Sequence, residues 1–416
     1  MKKIDFNYDE YIYEEKLKNG ISVYLYPTNK SKNFYITVST HFGAEVMKYK
    51  KGKKVYEVTK GSAHFLEHRV MDFTKNKEAA KKINELGSLV NAYTTYNGTN
   101  YNLFGTENIL ENITLLFDRV FKAHIKEEDV ESEKGIILEE YSMYNSDPYY
   151  KAQTGLLANM FHNGFLKYTV LGTEEGIKRA NEKELTRLYK DFYVPDNMFI
   201  VVCGSFNKDE VMDYINKYME DVNIPNSKSE VIIPKESDSV YSEYEEITEN
   251  LSEPKVVIGY KIRIPSIKEK RKFKLMFEMI LSENFDKTGK SFLRFIENNI
   301  PRFEYSIEEC DNHIALYFLA STKEYEKFIK ILEEELMSLE FDKDSLERKK
   351  KALLSSVILG FEDIINVEDI ITSNLFSYNK LPNDIEEVVN SIKLSEVKDA
   401  IKSINLDNKN LLIMKE

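Results

Sequence analysis

The sequence predicts an α+β protein of two homologous domains, each a mostly antiparallel sheet with helices packed on one face. Three observations carry this. Runs with the two-residue period of strands alternate with runs at helical spacing. The pattern lapses once, at residues 222–242, where Pro225, Pro234, several serines and charged residues stand without periodicity. The chain also ends alike on both sides of that lapse. A helix led by Glu184-Leu185 leads to Asn197-Met198-Phe199-Ile200-Val201, and one led by Glu396-Val397 leads to Asn410-Leu411-Leu412-Ile413-Met414. The expected organisation is a first domain at 1–221, a linker at 222–242 and a second domain at 243–416.

The elements follow in order. Tyr11–Lys18 and Ile21–Pro27 flank Asn19-Gly20, a pair that favours a type I′ hairpin because both turn positions want positive φ. Asn33–His41 alternates as a third strand. A helix starts near Ser62, and another runs from Asn76 to Leu86, with Ala79, Ala80, Ile83 and Leu86 on one face and Gly87 as its C-terminal cap. Ser88–Phe104 alternates again as one or two strands. Helices follow at Glu107–Ala123 and Lys126–Tyr144, the latter ended by Ser146-Asp147-Pro148. Met198–Cys203 is a continuous apolar run and reads as a buried strand. Beyond the linker the expected elements are a strand at Val256–Ile264, a helix at Ile267–Glu283 and strands at Phe303–Glu308 and His313–Ala320. Helices at Lys323–Leu339 and Asp344–Leu359 come next.

Composition excludes some functions. The formal charge of −12 and pI near 5.3 repel phosphate backbones, so a nucleic-acid partner is not expected. Two cysteines, Cys203 and Cys310, lie in different halves beside apolar runs, which argues for buried thiols in a reducing compartment. The opening MKKIDFNYDEYIYEEK has no apolar signal core, and no apolar run reaches the roughly 18 residues that span a bilayer. A cytoplasmic location is expected.

Chemistry concentrates in Gly61-Ser-Ala-His-Phe-Leu-Glu-His68, which contains H-x-x-E-H, the inverzincin order. On a helix, positions i, i+3 and i+4 share a face. His64 and His68 then stand one turn apart, about 6 Å along the axis, so two imidazoles can hold one Zn²⁺. Glu67, on the same side, can take a proton from water activated there. A catalytic zinc site needs a third protein ligand. Glu133 and Glu140 are candidates, seven residues apart on one helix face, with Glu139 pointing away. The competing reading of that helix alone is a solvated acidic face.

These residues resemble the pitrilysin/insulinase family of zinc peptidases, more closely its half-length bacterial members that act as paired subunits. The resemblance runs through Asn19-Gly20, GSAHFLEH at 61–68, LGSLVNAYTTYNGTNY at 86–101, ESEKGIILEEYSMYNSDP at 131–148, VLGTEEGI at 170–177 and FYVPDNMFIVVCG at 192–204. It covers residues 15–210 well and the second half weakly. It implies that Glu140, 72 residues after His68, is the third ligand and that Glu133 supports the site. It implies that Asn91, Ala92, Tyr93 and Thr94 form an edge strand to which a substrate peptide adds by backbone pairing. In the second half Tyr305 fits a tyrosine that assists substrate and oxyanion binding, but the arginine expected seven residues earlier is Asn298. Arg294 and Arg302 are out of register.

The resemblance thus implies a zinc endopeptidase acting on short or unfolded peptides in an enclosed chamber. It implies a dimer, with a homologous zinc-less partner subunit or a second copy of the chain, and a setting such as maturation of ribosomally made, modified peptides. The alternative is a non-catalytic structural or peptide-holding subunit of a larger assembly. The intact H-x-x-E-H argues against that alternative.

Overall fold

The computed structural model describes residues 1–72, 77–222 and 224–416. Asn76, the expected start of the second helix, and position 223 of the linker lie outside the described residues. The chain forms two compact units. The first is Met1–Tyr141 with Thr169–Ile232 and Ser356–Asp384, and the second is Ser142–Tyr168 with Ile233–Ser355 and Ile385–Glu416. These units are not the contiguous halves expected at 1–221 and 243–416. Each takes in one helix from the other half of the sequence. Periodicity shows which face of a helix is apolar, not which sheet covers it.

The first unit holds β1 (Lys2–Asp5), β2 (Tyr11–Lys16), β3 (Ser22–Pro27), β4 (Phe34–Thr40), the small hairpin β5 (Lys48–Lys51) and β6 (Lys54–Glu57), β7 (Leu89–Thr94), β8 (Thr99–Gly105), β9 (Met198–Gly204) and β10 (Ser229–Val231). Seven strands make the main sheet in the order β1-β2-β3-β9-β4-β8-β7, antiparallel except for β3 beside β9. Its helices begin with α1 (Ser62–Met71), α2 (Lys77–Leu86), α3 (Ile109–Phe121) and α4 (Glu127–Ser146). Next, α5 (Pro148–Met160) belongs to the second unit, while α6 (Glu174–Arg179), α7 (Glu182–Phe192) and α8 (Lys208–Asp221) return to the first.

The hairpin at Asn19-Gly20 forms, but not with a type I′ turn. Gly20 has φ +108° while Asn19 stays at negative φ. Gly20 N–H donates to Leu17 O and Leu17 N–H to Ile21 O, so the loop has three residues, with glycine in the left-handed position that such loops require.

Side chains alternate across the main sheet. One set, Val23, Leu25, Ile36, Val38, Tyr101, Leu103, Ile200 and Val202, is buried with residues of α1, α3, α7 and α8. The other set, Tyr24, Tyr26, Phe199, Val201 and Cys203, is buried against Ile364, Val367, Ile371 and Leu375. Those four come from α13 (Ile364–Tyr378), which follows α9 (Lys270–Phe285), α10 (Lys290–Glu297), α11 (Tyr325–Met337) and α12 (Lys343–Gly360) and lies more than 150 residues downstream of β9. A buried carboxylate fixes this helix. Glu368 accepts hydrogen bonds from Thr37 (2.9 Å), Thr372 (2.6 Å) and Asn100 (3.2 Å), while burial pushes its pKa up. The ring of Phe376 lies where a β-carbon on Gly98 would sit, so the turn between β7 and β8 needs glycine for close approach.

The second unit is a five-stranded sheet of β11 (Tyr244–Thr248), β12 (Lys255–Arg263), β13 (Phe303–Cys310), β14 (His313–Ser321) and β15 (Lys409–Lys415), ordered β11-β15-β12-β14-β13. One face, led by Val256, Ile258, Tyr260 and Ile262, is buried with Phe277, Ile280, Phe328 and Leu332 from the helices at Lys270–Phe285 and Tyr325–Met337. On the other face α5 lies against Gly259, where the side-chain ends of Met160 and Leu156 occupy the space a β-carbon would enter. The helical packing expected on one face is therefore joined by helical packing on the second face, chiefly from α13 in the first unit and from α5 in the second.

Part of the expected linker is built into the folds. Residues of β10 pair with β5. Glu236 is buried, pairs with Lys261 at 2.7 Å and accepts from the backbone N–H groups of His162, Asn163 and Gly164. Burial opposes its charge, but those bonds outweigh burial and hold its pKa down at about 2. Both cysteines are free and buried. Among the described residues no helix is long and apolar enough to cross a membrane.

Candidate metal centre

The helix α1 begins at Gly61, whose φ of +90° and contact with the Leu171 carbonyl exclude any side chain. From there Ala63, Phe65, Leu66 and Val70 turn into the core, which leaves His64, Glu67 and His68 on the remaining face. The expected helical spacing is met: the imidazole centroids are 4.6 Å apart, crossed at 70°. The second half of the site comes from α4. Val130 and Ile137 anchor it in the core, and Glu133 and Glu140 project toward α1.

The arrangement is convergent. One oxygen of Glu140 lies 3.5 Å from His64 Nε2 and 3.3 Å from His68 Nε2, and the three donor atoms fall within 4.8 Å of one another. A tetrahedral zinc with ligands at about 2.0–2.1 Å has ligand–ligand edges of roughly 3.3–3.5 Å, so the donor set fits that ion in both chemistry and spacing. The other ring nitrogen of His68 faces Glu133 Oε1 at 3.1 Å, the carboxylate–imidazole pairing typical of metal-binding histidines. The Nδ1 of His64 is buried and finds no partner among the described residues.

Electrostatics separate the two histidines. Burial, helped by the neighbouring His68, pulls His64 down to about 4, so it offers a neutral imidazole. Burial also opposes charge on His68, but hydrogen bonds to Glu133 and Glu140 outweigh it and push the ring up to about 9. The His68 bond in turn holds both carboxylates below their ordinary range, Glu133 with help from Arg69. The pocket thus attracts positive charge, which a divalent ion supplies better than a proton. Glu67 stands apart: burial raises its pKa, while Thr94 Oγ1 donates to its Oε2 at 2.6 Å.

The remaining expected residues are placed as follows. Asn91, Ala92, Tyr93 and Thr94 lie on β7, the edge of the main sheet, paired only with β8 among the described residues. Asn91 Oδ1 accepts from Ala92 N–H at 2.9 Å. Thr94 faces Glu67, whereas Tyr93 is pushed well above the usual tyrosine range by burial and by Glu368 and Asp369. Tyr305 is in the other unit, on β13, with its ring against Phe285 and Phe318 and its hydroxyl donating to Asp286 at 2.6 Å. Asn298 caps a helix by donating to Arg294 O at 2.7 Å, and the Arg294 guanidinium is held by Glu334 and Glu335.

Sequence reasoning missed two parts of the site. It placed Thr94 with the substrate strand, not as the hydrogen-bond donor to Glu67. It also passed over Arg69, whose only signal was a cation on an otherwise buried stretch of helix.

Two family models match the chain. Insulinase (Peptidase family M16) matches residues 55–174, and the Peptidase M16 inactive domain matches residues 179–353. The chain belongs to the insulinase family, peptidase family M16. The uncharacterized zinc protease YmfH of Bacillus subtilis is 26% identical over 411 residues, 94% of each chain. The β subunit of the mitochondrial-processing peptidase of Caenorhabditis elegans is 26% identical over 181 residues, 42% of this chain and 39% of that one. Among solved structures, an M16-like peptidase from Alicyclobacillus acidocaldarius superposes with a TM-score of 0.92 at 21% identity, covering 99% of this chain and 100% of that one. The periplasmic protease PqqL of Escherichia coli superposes with a TM-score of 0.75 at 15% identity, covering all of this chain and 48% of PqqL.

Proposed function

We propose that this chain is a zinc-dependent endopeptidase and the catalytic member of a two-subunit enzyme that cleaves short or unfolded peptides. The observation that carries the reading is the convergence of His64 Nε2, His68 Nε2 and Glu140 on one point, with Glu67 beside it. Zinc bound there supplies Lewis acidity at neutral pH. Glu67 is the proton acceptor for the attacking water and then the donor to the leaving amine, and its raised pKa suits both tasks. Thr94 holds Glu67 Oε2, and Oε1 is the oxygen that takes the proton from the water. Glu133 orients the His68 ring. The edge of β7, at Asn91–Thr94, accepts the substrate backbone as an added strand, a mode of binding that places little demand on side-chain identity.

The first test is metal. Purified protein is expected to carry about one zinc per chain, to lose peptide cleavage on treatment with a strong chelator and to regain it with zinc. Elemental analysis without zinc, and no uptake on addition, would refute the site.

The finer reading concerns assembly. The partner is a homologous subunit lacking the zinc motif or a second copy of the chain, the location is the cytoplasm and the substrate is a ribosomally made, modified peptide. Three observations support a partner. The chain matches only 48% of PqqL. The arginine expected beside Tyr305 is Asn298, with Arg294 committed to glutamates. The model named for an inactive domain covers much of the second half. The chain alone is expected to turn over an unfolded peptide poorly, and a co-encoded homologue to raise the rate by at least about tenfold, because water exclusion and oxyanion donors are then completed. A strictly monomeric chain with full turnover, followed by mass in solution, would defeat the paired reading and leave the zinc site standing.

A further inference from the structure

We propose that Arg69 is a positioning residue for the metal centre: it locks Glu133 against His68 and fastens the helix bearing both histidines to the helix bearing Glu140. The proposal rests on the zinc reading above.

The geometry is a fork. The Arg69 side chain is only 4% exposed and reaches two carboxylates at once. One Nη donates to Glu133 Oε2, and the other donates to Asp72 Oδ2 at 2.8 Å. The free oxygen of Glu133 faces His68 Nδ1 at 3.1 Å. From α3, Arg119 donates to the backbone oxygen of Asp72 and so holds that end of the fork.

Each contact removes a freedom that matters for binding metal. A carboxylate bonded on one side only can swing about its side-chain torsions. Glu133, bonded on both sides, cannot turn without losing a buried charged contact. That fixes the His68 ring with its Nδ1 proton toward Glu133, and its Nε2 lone pair then points at Glu140 and His64. The second effect is on helix spacing. His64 and His68 sit on α1 and Glu140 sits on α4, so the ligand set depends on the distance between two helices remote in sequence. Arg69 and Glu133 bridge those helices at the level of His68, two turns along α4 from Glu140. The site is thereby spaced for its ion before the ion arrives, which lowers the ordering cost of binding. Only arginine meets the requirement, because a planar guanidinium serves two carboxylates together while an ammonium is a point charge.

The test uses the full chain with Arg69→Lys, Glu133→Gln and the double variant. Zinc dissociation constants come from chelator competition, ligand geometry from the visible spectrum of the cobalt-substituted protein, and folding from thermal melting. Arg69→Lys is expected to stay folded, to bind zinc about 10–100-fold more weakly and to shift the cobalt bands. The double variant should bind no worse than Glu133→Gln alone, because Arg69 acts through Glu133. Should Arg69→Lys fail to fold, Arg69→Met combined with Glu133→Gln removes both members of the pair and makes the same comparison with Glu133→Gln. Zinc affinity within twofold of wild type with an unchanged cobalt spectrum, or an additive loss in the double variant, overturns the proposal. A wild-type chain that binds no zinc overturns the metal reading and this proposal with it.

Discussion

Glu67→Gln is expected to leave the zinc content intact and to lower kcat by about 10²–10⁴-fold. The carboxylate is on the same helical face as His64 and His68, but it is not among the three convergent donors. Its Oε2 takes the Thr94 hydroxyl at 2.6 Å, so a glutamine oxygen can keep that bond and the local shape. What the amide cannot do is accept a proton at the other position. The expected signature is therefore a drop in kcat at near-constant KM, with normal zinc by elemental analysis and normal melting. Loss of zinc in this variant would show that Glu67 is a ligand, and turnover within tenfold of wild type would remove it from the chemistry.

Glu140→Gln is expected to weaken zinc binding by more than about a hundredfold, whereas Glu139→Gln changes it by less than about threefold. The two glutamates are adjacent in sequence and differ by about 100° around α4. Glu140 approaches both imidazoles at 3.3 and 3.5 Å, while Glu139 faces solvent. Replacing Glu140 removes an anionic ligand and leaves the His68 ring held by Glu133 alone. The measurement is a chelator competition on both variants, read with peptide turnover at saturating zinc. A larger effect at position 139 would mean that the face of α4 had been assigned wrongly.

Much of this centre was legible because helical geometry is local. The i, i+3, i+4 spacing of His64, Glu67 and His68 and the seven-residue spacing of Glu133 and Glu140 each define one helix face. The helices formed as expected at Ser62–Met71 and Glu127–Ser146. Spacing alone did not choose between Glu133 and Glu140; the family resemblance did. Arg69 was not legible, because its partners are set by how α1 packs against α3 and α4. The same limit hid α5 and α13. Ile364, Val367, Ile371 and Leu375 repeat at helical intervals, but nothing local states that they cover Tyr24 and Phe199. The Asn19-Gly20 turn shows the opposite case. A strong local signal placed the hairpin correctly, while the strand register that puts Leu17 opposite Ile21 decided the turn type.

The route of the chain has a consequence for how the molecule can be divided. It passes from one compact unit to the other after Tyr141, Tyr168, Ile232, Ser355 and Asp384. A cut in the proline-bearing stretch at 222–242 therefore yields fragments that are not units. The N-terminal fragment would bare the aromatic face of Tyr24, Tyr26 and Phe199 that α13 covers, and the C-terminal fragment would bare the β12 trough at Gly259 that α5 fills. Each fragment would carry the plug for the other's exposed surface, an aggregation liability when alone and a reason to recombine when together. A gene clipped at that point does not encode a compact unit, and a protease nick there would not release one. The unit that carries His64, His68 and Glu140 is completed only by residues 356–384, which are translated after most of the second half of the chain.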